Sequence, residues 1–312
     1  MRFDALLGNE GLKRRLSAGG DRLSHCYILE GPPGSGRKTL SRILAAAYQC
    51  TGQGSRPCGV CPDCKKVFGG IHPDVITVDS DKATVPIALI RDMQADAYIL
   101  PNEGRRKVYV IPRAGDMQAP AQNALLKLLE EPPEYCAFLL ITDTAEKLLE
   151  TVRSRSVLLT MAPLSRQTLL DRLRQEDPSA SEADLARAAD RSDGYLGAAI
   201  ALLHTPETEL DQELLNIARG FAAGEDYALL NVLVPLEKRK RQDLLELLTE
   251  LRRVFLRAMT PGAARTLAAQ ALSGCTPQSL YTAAGAIGEA IALLQANGSA
   301  GHAVAVLTAT MR

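Results

Sequence analysis

The sequence predicts an α/β domain built on a parallel sheet over residues 1–162, followed by helices alone. Three observations carry this. The apolar run Cys26-Tyr27-Ile28-Leu29 leads through the turn Gly31-Pro32-Pro33-Gly34-Ser35-Gly36 into a helical pattern, which makes a strand-loop-helix unit. Further short apolar runs alternate with helical segments as far as Met161, as strands buried on both faces of a parallel sheet do. From Pro163 onward no strand pattern recurs.

A chain of 312 residues that is 46% hydrophobic is long enough for two or three domains with cores of their own. Lys plus Arg equal Asp plus Glu at 36 each, so no overall field draws the chain to nucleic acid or an anionic membrane, and any DNA contact must be local. No apolar run reaches membrane-spanning length, and Arg2, Asp4, Asn9 and Glu10 argue against a signal peptide. A cytoplasmic location is expected.

Residues Phe3 to Ser17 have helical spacing, and Ser24-His25 leads into the first strand. The glycine loop that follows has the form of a phosphate-binding loop without its lysine. In a working loop, backbone N–H groups curl round the phosphates, a lysine after the last glycine reaches the outer phosphates, and the next Ser or Thr holds magnesium. Here Arg37 and Lys38 take those positions, with Thr39 behind them. Arginine is a planar fork rather than a point charge, and lysine offers a metal no oxygen. The start of the helix from Leu40 to Gln49 still binds anions by geometry, so Gly31, Gly34, Gly36, Arg37, Lys38 and Thr39 form a degenerate phosphate site. Binding and hydrolysis of ATP are separate questions there.

Cys50, Cys58, Cys61 and Cys64 follow, with Gly59 and Pro62 bending the chain between them. Four thiolates at this spacing predict a tetrahedral structural zinc rather than a catalytic one, because no position is left for water. The bland alternative is cysteines that pack or stay free. Cys26, Cys136 and Cys275 lie in apolar surroundings and read as small core residues.

Asp74 to Asp79 alternates like a strand, Pro86 to Tyr98 is helical, and Lys107 to Ile111 is a buried strand. An ATPase of this architecture needs an Asp and a Glu where that last strand ends, to position magnesium and water. The sequence has Pro112 and Arg113, and the next acid, Asp116, reads as the cap of a following helix. That helix, Ala119 to Glu131, is stopped by Pro132-Pro133; strands are expected at Ala137–Ile141, ending in Thr142-Asp143, and at Val157–Met161 after Ser154-Arg155-Ser156. Beyond Pro163, breaks at Pro178, Ser192-Asp193-Gly194, Thr205-Pro206, Pro261-Gly262 and Cys275-Thr276-Pro277 divide the chain into a small helical unit, 163–207, and an all-helical domain, 208–312. The charge run Glu237 to Asp243 reads as a solvated helix start rather than a DNA contact, and the alanine-rich end, Ala283 to Ala309, suits tightly packed helices, packing between subunits included.

Together, Ser24-His25, the four-cysteine insert (50–64), the helix from Asn123 to Pro133, Ser154-Arg155 and the three-part layout resemble the delta prime family of subunits of the bacterial DNA polymerase III clamp loader, within the AAA+ superfamily. The resemblance runs through the whole chain. It implies an AAA+ module with a zinc insert, a helical lid and a C-terminal collar domain. It also implies a hetero-pentamer with gamma/tau motor subunits and delta, which opens a sliding clamp and loads it onto primed DNA in DNA replication. Arg155 is then the finger offered in trans to a neighbour's ATP. The alternative within the family is the ATP-hydrolysing gamma/tau subunit itself. Against it stand the Arg37-Lys38 pair, the Pro112-Arg113 pair and Gly197, which falls where motor subunits carry a nucleotide-sensing arginine; Ser156 departs from the family's usual cysteine but leaves Arg155 in place. Two further classes are an active phosphate-loop NTPase and a zinc module that reads bases; the neutral net charge and the few basic residues near the cysteines (Arg56, Lys65, Lys66) weigh against the second.

Overall fold

The computed structural model describes residues 3, 6–18, 23–54, 56–82, 84–203, 209–259 and 266–311. The chain divides into two compact units, one of residues 1–179 and 192–200, the other of 180–191 and 201–312.

In the first unit the order is α1 (Glu10–Ala18), β1 (Cys26–Glu30), α2 (Arg37–Gln49), α3 (Pro62–Phe68), β2 (Val75–Thr77), α4 (Ile87–Ala97), β3 (Lys107–Ile111), α5 (Ala119–Glu130), β4 (Cys136–Thr142), α6 (Glu150–Arg153), β5 (Val157–Thr160) and α7 (Arg166–Glu176). The five strands form one parallel sheet in the order β2-β3-β4-β1-β5. Successive residues of a strand point to opposite faces, and both faces are covered. Tyr27, Leu29, Val108, Leu139 and Ile141 pack with Leu12 and Leu16 of α1 and with Leu40, Ile43 and Leu44 of α2. Ile28, Tyr109, Ile111, Phe138 and Leu140 pack with Ile90 and Met93 of α4 and with Leu125 and Leu128 of α5. Burial on both sides is why these strands read as unbroken apolar runs.

The register is tied at the entrance to β3. Tyr109 stacks on Phe138, its ladder partner, at 5.6 Å between ring centroids. Its hydroxyl donates to Asp96 Oδ2 (2.7 Å) and the buried Lys107 ammonium donates to Asp96 Oδ1 (2.9 Å), so a charge inside the fold is matched by a carboxylate. Burial alone would raise the Asp96 carboxyl, but these two donors hold it below its ordinary value.

Several expected boundaries move. The first helix begins at Glu10 rather than Phe3, because Phe3 and Leu6 go into the core ahead of it and Gly8 and Asn9 turn the chain at positive φ. The strand expected over Asp74–Asp79 keeps only Val75–Thr77, since Asp74 instead accepts the N–H groups of Asn102, Glu103 and Gly104. Asp116 is not a helix cap: it closes a 3₁₀ turn, Ala114–Asp116, and α5 starts beyond it at Ala119 with Gln118 in the cap position and no side-chain bond.

The second unit is helical: α8 (Glu182–Arg191), the end of α9 (Leu196–Leu203), α10 (Glu209–Ala222), α11 (Asp226–Leu233), α12 (Arg241–Ala258), α13 (Leu267–Ala271), α14 (Pro277–Gln295) and α15 (Ala300–Thr310). The alanine-rich end does pack tightly, and within the chain: Ala283, Ala284, Ala286 and Ala290 of α14 and Ala303 of α15 lie in one core with Leu247, Leu251 and Phe255 of α12. The run Glu237 to Asp243 is mostly exposed but is a junction rather than one helix start. A 3₁₀ turn ends at Lys238, and α12 begins at Arg241, whose guanidinium donates to the carbonyl of Leu294 and to Asn297 Oδ1. The breaks expected at Thr205-Pro206 and Pro261-Gly262 lie outside the described residues.

Candidate functional site

The order β4-β1-β5 sets the end of β1 between the ends of its two neighbours. In an open parallel sheet a ligand crevice forms at such a place, outside the carboxyl ends of the strands. Here Gly31, Gly34, Gly36, Arg37, Lys38 and Thr39 come together as one loop and helix start. Gly34 and Gly36 hold φ of 80° and 95°, which glycine adopts without strain, and no side chain caps α2. The loop lines a cleft of about 620 Å³ whose other walls include Leu7, Asn9, Pro112, Ile141, Leu164 and Tyr195.

Of the two basic residues that open α2, Arg37 is paired within the chain, whereas Lys38 is exposed. Arg37, in the position of the phosphate-binding lysine, donates to Asp143 Oδ1 at 2.6 Å, and Lys147 approaches the other oxygen at 3.6 Å. Asp143 directly follows β4, so the pairing of β1 with β4 brings it to Arg37. Arg113, the second residue of the Pro112-Arg113 pair that follows β3, is held by Asp79 at 2.8 Å and by the carbonyls of Ser80 and Lys82. Glu30 closes β1 but spends its carboxylate on the Ala145 amide and the Thr160 hydroxyl, each at 2.8 Å.

The backbone of residues 197–198 is seated on the loop. Gly197 N–H donates to Gly34 C=O at 3.0 Å. A Cβ on Gly34 would fall 2.3 Å from Ala198 N, and one on Gly197 would fall 2.8 Å from Gly34 Cα. An arginine at 197 therefore does not fit this arrangement without pushing the two backbones apart.

The four cysteines also come together. Their sulfurs lie within 4.8 Å of one another, with Cys58 and Cys64 Sγ at 4.0 Å. Tetrahedral zinc with Zn–S of about 2.3 Å needs sulfurs about 3.8 Å apart, so the set fits. The donors around it fit as well: Cys58 N–H donates to Cys50 Sγ (3.3 Å), Cys61 N–H to Cys58 Sγ (3.3 Å) and Cys64 N–H to Cys61 Sγ (3.4 Å), each favouring thiolate. Burial pushes Cys64 up, whereas at Cys61 the donors from Cys64 and Thr51 outweigh burial and bring the thiol down to about 6. Gly59, at φ 76°, makes the turn between Cys58 and Cys61, and a Cβ on Gly52 would fall 2.7 Å from Cys58 Sγ. These four residues would hold one zinc ion whose contribution is structural. Cys26 and Cys136 are buried in the sheet and Cys275 is half-buried, as expected of core residues.

Arg155 stands apart from both sites. It precedes the edge strand β5 at the sheet end opposite the loop, where its guanidinium pairs with Glu130 at 2.8 Å and donates to the Thr151 carbonyl. Sequence reasoning noted Asp143 only as a strand end. Its partnership with Arg37 depends on strand order, which no local pattern encodes.

A parallel sheet of this order, with a glycine loop between β1 and α2, has the plan of a phosphate-loop domain, here carrying a four-cysteine cluster. The chain belongs to the family described as DNA polymerase III, delta subunit, whose model matches residues 10–165, half of its length. It is 38% identical over 159 residues to DNA polymerase III subunit delta' of Bacillus subtilis (strain 168), covering 51% of this chain and 48% of that one. It is also 31% identical over 209 residues to DNA polymerase III subunit tau of the same organism, covering 65% and 37%, and 35% identical over 202 residues to subunit tau of Escherichia coli (strain K12), covering 61% and 31%. The chain thus spans from a third to a half of the length of these relatives.

Two outcomes are expected. Protein purified reduced and without added metal carries one zinc per chain by elemental analysis, and Cys58→Ser loses both the metal and much of the ~10 to 16 kcal/mol that structural zinc contributes to folding; less than about half an equivalent contradicts the assignment. Asp143→Asn frees Arg37, and calorimetric titration with pyrophosphate then shows binding about tenfold tighter than in the parent, or about 1.4 kcal/mol. Equal or weaker binding contradicts the reading of Asp143 as the group that occupies Arg37.

Proposed function

We propose that the chain is a non-hydrolysing subunit of the DNA polymerase III clamp loader, of the delta prime kind, working in the cytoplasm. It helps load the sliding clamp onto primed DNA within a hetero-pentamer containing delta and gamma/tau-type motor subunits. In this reading residues 1–162 form the AAA+ module with its zinc insert, 163–207 the lid and 208–312 the collar. The observation that carries it is that, of the four positions at which a motor subunit needs phosphate, magnesium or water ligands, two hold arginines tied to the chain's own carboxylates, Arg37 to Asp143 and Arg113 to Asp79, and the other two hold Lys38 and Pro112, which offer a metal no side-chain oxygen. In-line phosphoryl transfer requires the opposite arrangement: a cation free for the phosphates, and carboxylates free for metal and water. The tau relatives align over more of the chain than the delta' relative does, 65% against 51%. That favours a shared domain plan with the motor subunits and supplies none of the missing groups.

Arg155 acts in trans at a neighbour's ATP site. Its pair with Glu130 is exposed, 36% and 50% for the two side chains, and is worth about 0 to 1 kcal/mol. A developing phosphoryl charge held in a dry interface competes easily with such a partner, because a guanidinium fork matches phosphate oxygens in two parallel bonds. The chain's own site thus holds a fixed shape while its edge-strand arginine serves another site.

The test is Arg155→Ala in a loader reconstituted from purified subunits, with assembly checked by gel filtration and the other ATP sites disabled. Hydrolysis at the adjoining site is expected to fall by ~10³ or more. An intact complex that hydrolyses ATP there at the parental rate contradicts the assignment.

A further inference from the structure

At the sheet end opposite the phosphate loop, the segments leading into β1, β3 and β4 meet the end of α2 and the cysteine segment around a pocket of about 370 Å³. Its polar wall is made by Arg56, Arg105 and Arg106, its aromatic wall by Tyr48 and Tyr135, and the exposed Glu134 is its one carboxylate. The sequence hides this grouping, because Arg56 belongs to the cysteine segment and the arginine pair follows some fifty residues later.

The pocket is built rather than incidental. The turn before β3 is pinned by Asp74, whose carboxylate accepts the amides of Asn102 (2.6 Å), Glu103 (3.0 Å) and Gly104 (2.7 Å). Gln49, fully buried at the end of α2, accepts Arg106 N–H at 3.3 Å and donates to the Arg106 carbonyl. The side chains are then placed by uncharged partners: Arg105 donates to the Cys50 carbonyl at 3.3 Å, and the Arg106 guanidinium stands 5.6 Å from the centroid of the Tyr48 ring. Neither contact cancels a charge, and among the described residues no ion pair joins Arg105 or Arg106 to a carboxylate. Most other arginine contacts in the first unit that fix a guanidinium end on one, as at Arg37, Arg113, Arg155 and Arg172.

We propose that this pocket binds a phosphate-bearing anion, with Arg105 and Arg106 as its principal ligands and Arg56 as a third cation. Guanidinium is the side chain suited to the task, since its planar fork offers two parallel donors to phosphate oxygens and gives up its hydration readily. The volume is that of a site for a phosphate ester or one backbone phosphate, and the half-buried Tyr135 gives an attached base or sugar something to lie against, the buried Tyr48 being covered by Arg106. The competing explanation is that both arginines only cap the carbonyl end of α2. In that case their loss lowers stability and leaves anion binding unchanged. The proposal does not depend on the role assigned to the chain above.

The test uses the full zinc-loaded chain and its Arg105→Gln/Arg106→Gln double variant. Inorganic pyrophosphate is titrated calorimetrically, and a fluorescein-labelled oligothymidylate by anisotropy at several salt concentrations. Saturable binding of at least one probe is expected, weakened about tenfold in the double variant, with the salt slope for the oligonucleotide reduced by about 1.4, or 0.7 for each lost phosphate contact. Binding of pyrophosphate alone identifies a small phosphate ester as the ligand class; binding of the oligonucleotide identifies nucleic-acid backbone. Unchanged binding in the double variant, or no saturable binding of either probe by the parent, overturns the proposal. Should the double variant not fold, amide chemical shifts of the parent on adding pyrophosphate decide the matter: movement at residues 104–107 supports the pocket, and movement confined to residues 34–39 overturns it.

Discussion

The pairing of β1 with β4 is the constraint on which the rest of this structure depends. It is parallel and in register from Cys26 opposite Phe138 to Glu30 opposite Thr142, so the chain leaves both strands at the same level. A residue just past β4 must then lie beside a residue just past the glycine loop. In a nucleotide-hydrolysing protein that proximity lets both groups face a phosphate. Here it joins Arg37 to Asp143 and leaves Lys38 exposed. The backbone of Gly197 on Gly34 adds a second closure, one that two glycines allow and a side chain at either place would prevent.

These closures give the first unit a shape that does not depend on a triphosphate. On the proposed reading the chain follows no nucleotide cycle of its own, because Arg37 is bound to Asp143 and the loop carbonyl of Gly34 to Gly197. The four-cysteine centre works in the same direction. Zinc held there would fix a segment in which, among the described residues of 50–61, only Cys50 and Pro57 are buried, by metal ligation rather than by burial of apolar surface. On the proposed reading such rigidity serves Arg155, since misplacement of a catalytic group by about an ångström costs on the order of a hundredfold in rate.

Much of this was legible in the sequence. Lys107–Ile111 was bounded to the residue because a strand buried on both faces leaves an unbroken apolar run, and the cysteine set was complete because soft ligands cluster locally in the chain. The residue types at 37, 38, 112 and 113 were equally plain, since Lys38 and Pro112 offer a metal no side-chain oxygen and Arg37 and Arg113 carry guanidinium groups. What the sequence could not disclose were partnerships between distant segments. Asp143 with Arg37, Asp79 with Arg113 and Gly34 with Gly197 are separated by 34 to 163 positions and meet only through the strand order and the return of α9. The same holds for Arg56, Arg105 and Arg106. Asp116 misled for the opposite reason: its local pattern is that of a cap, but the chain inserts a 3₁₀ turn before the helix begins.

The central claim, that this phosphate loop no longer serves hydrolysis, is tested most directly by a single-turnover measurement with the isolated zinc-loaded chain in excess over radiolabelled ATP and magnesium. Excess protein exposes even a slow site. The account predicts no product above the rate in buffer. Magnesium-dependent hydrolysis by the parent that is abolished by Lys38→Ala would contradict it, because it would show that the loop, despite Arg37, Asp143 and Pro112, still performs the reaction.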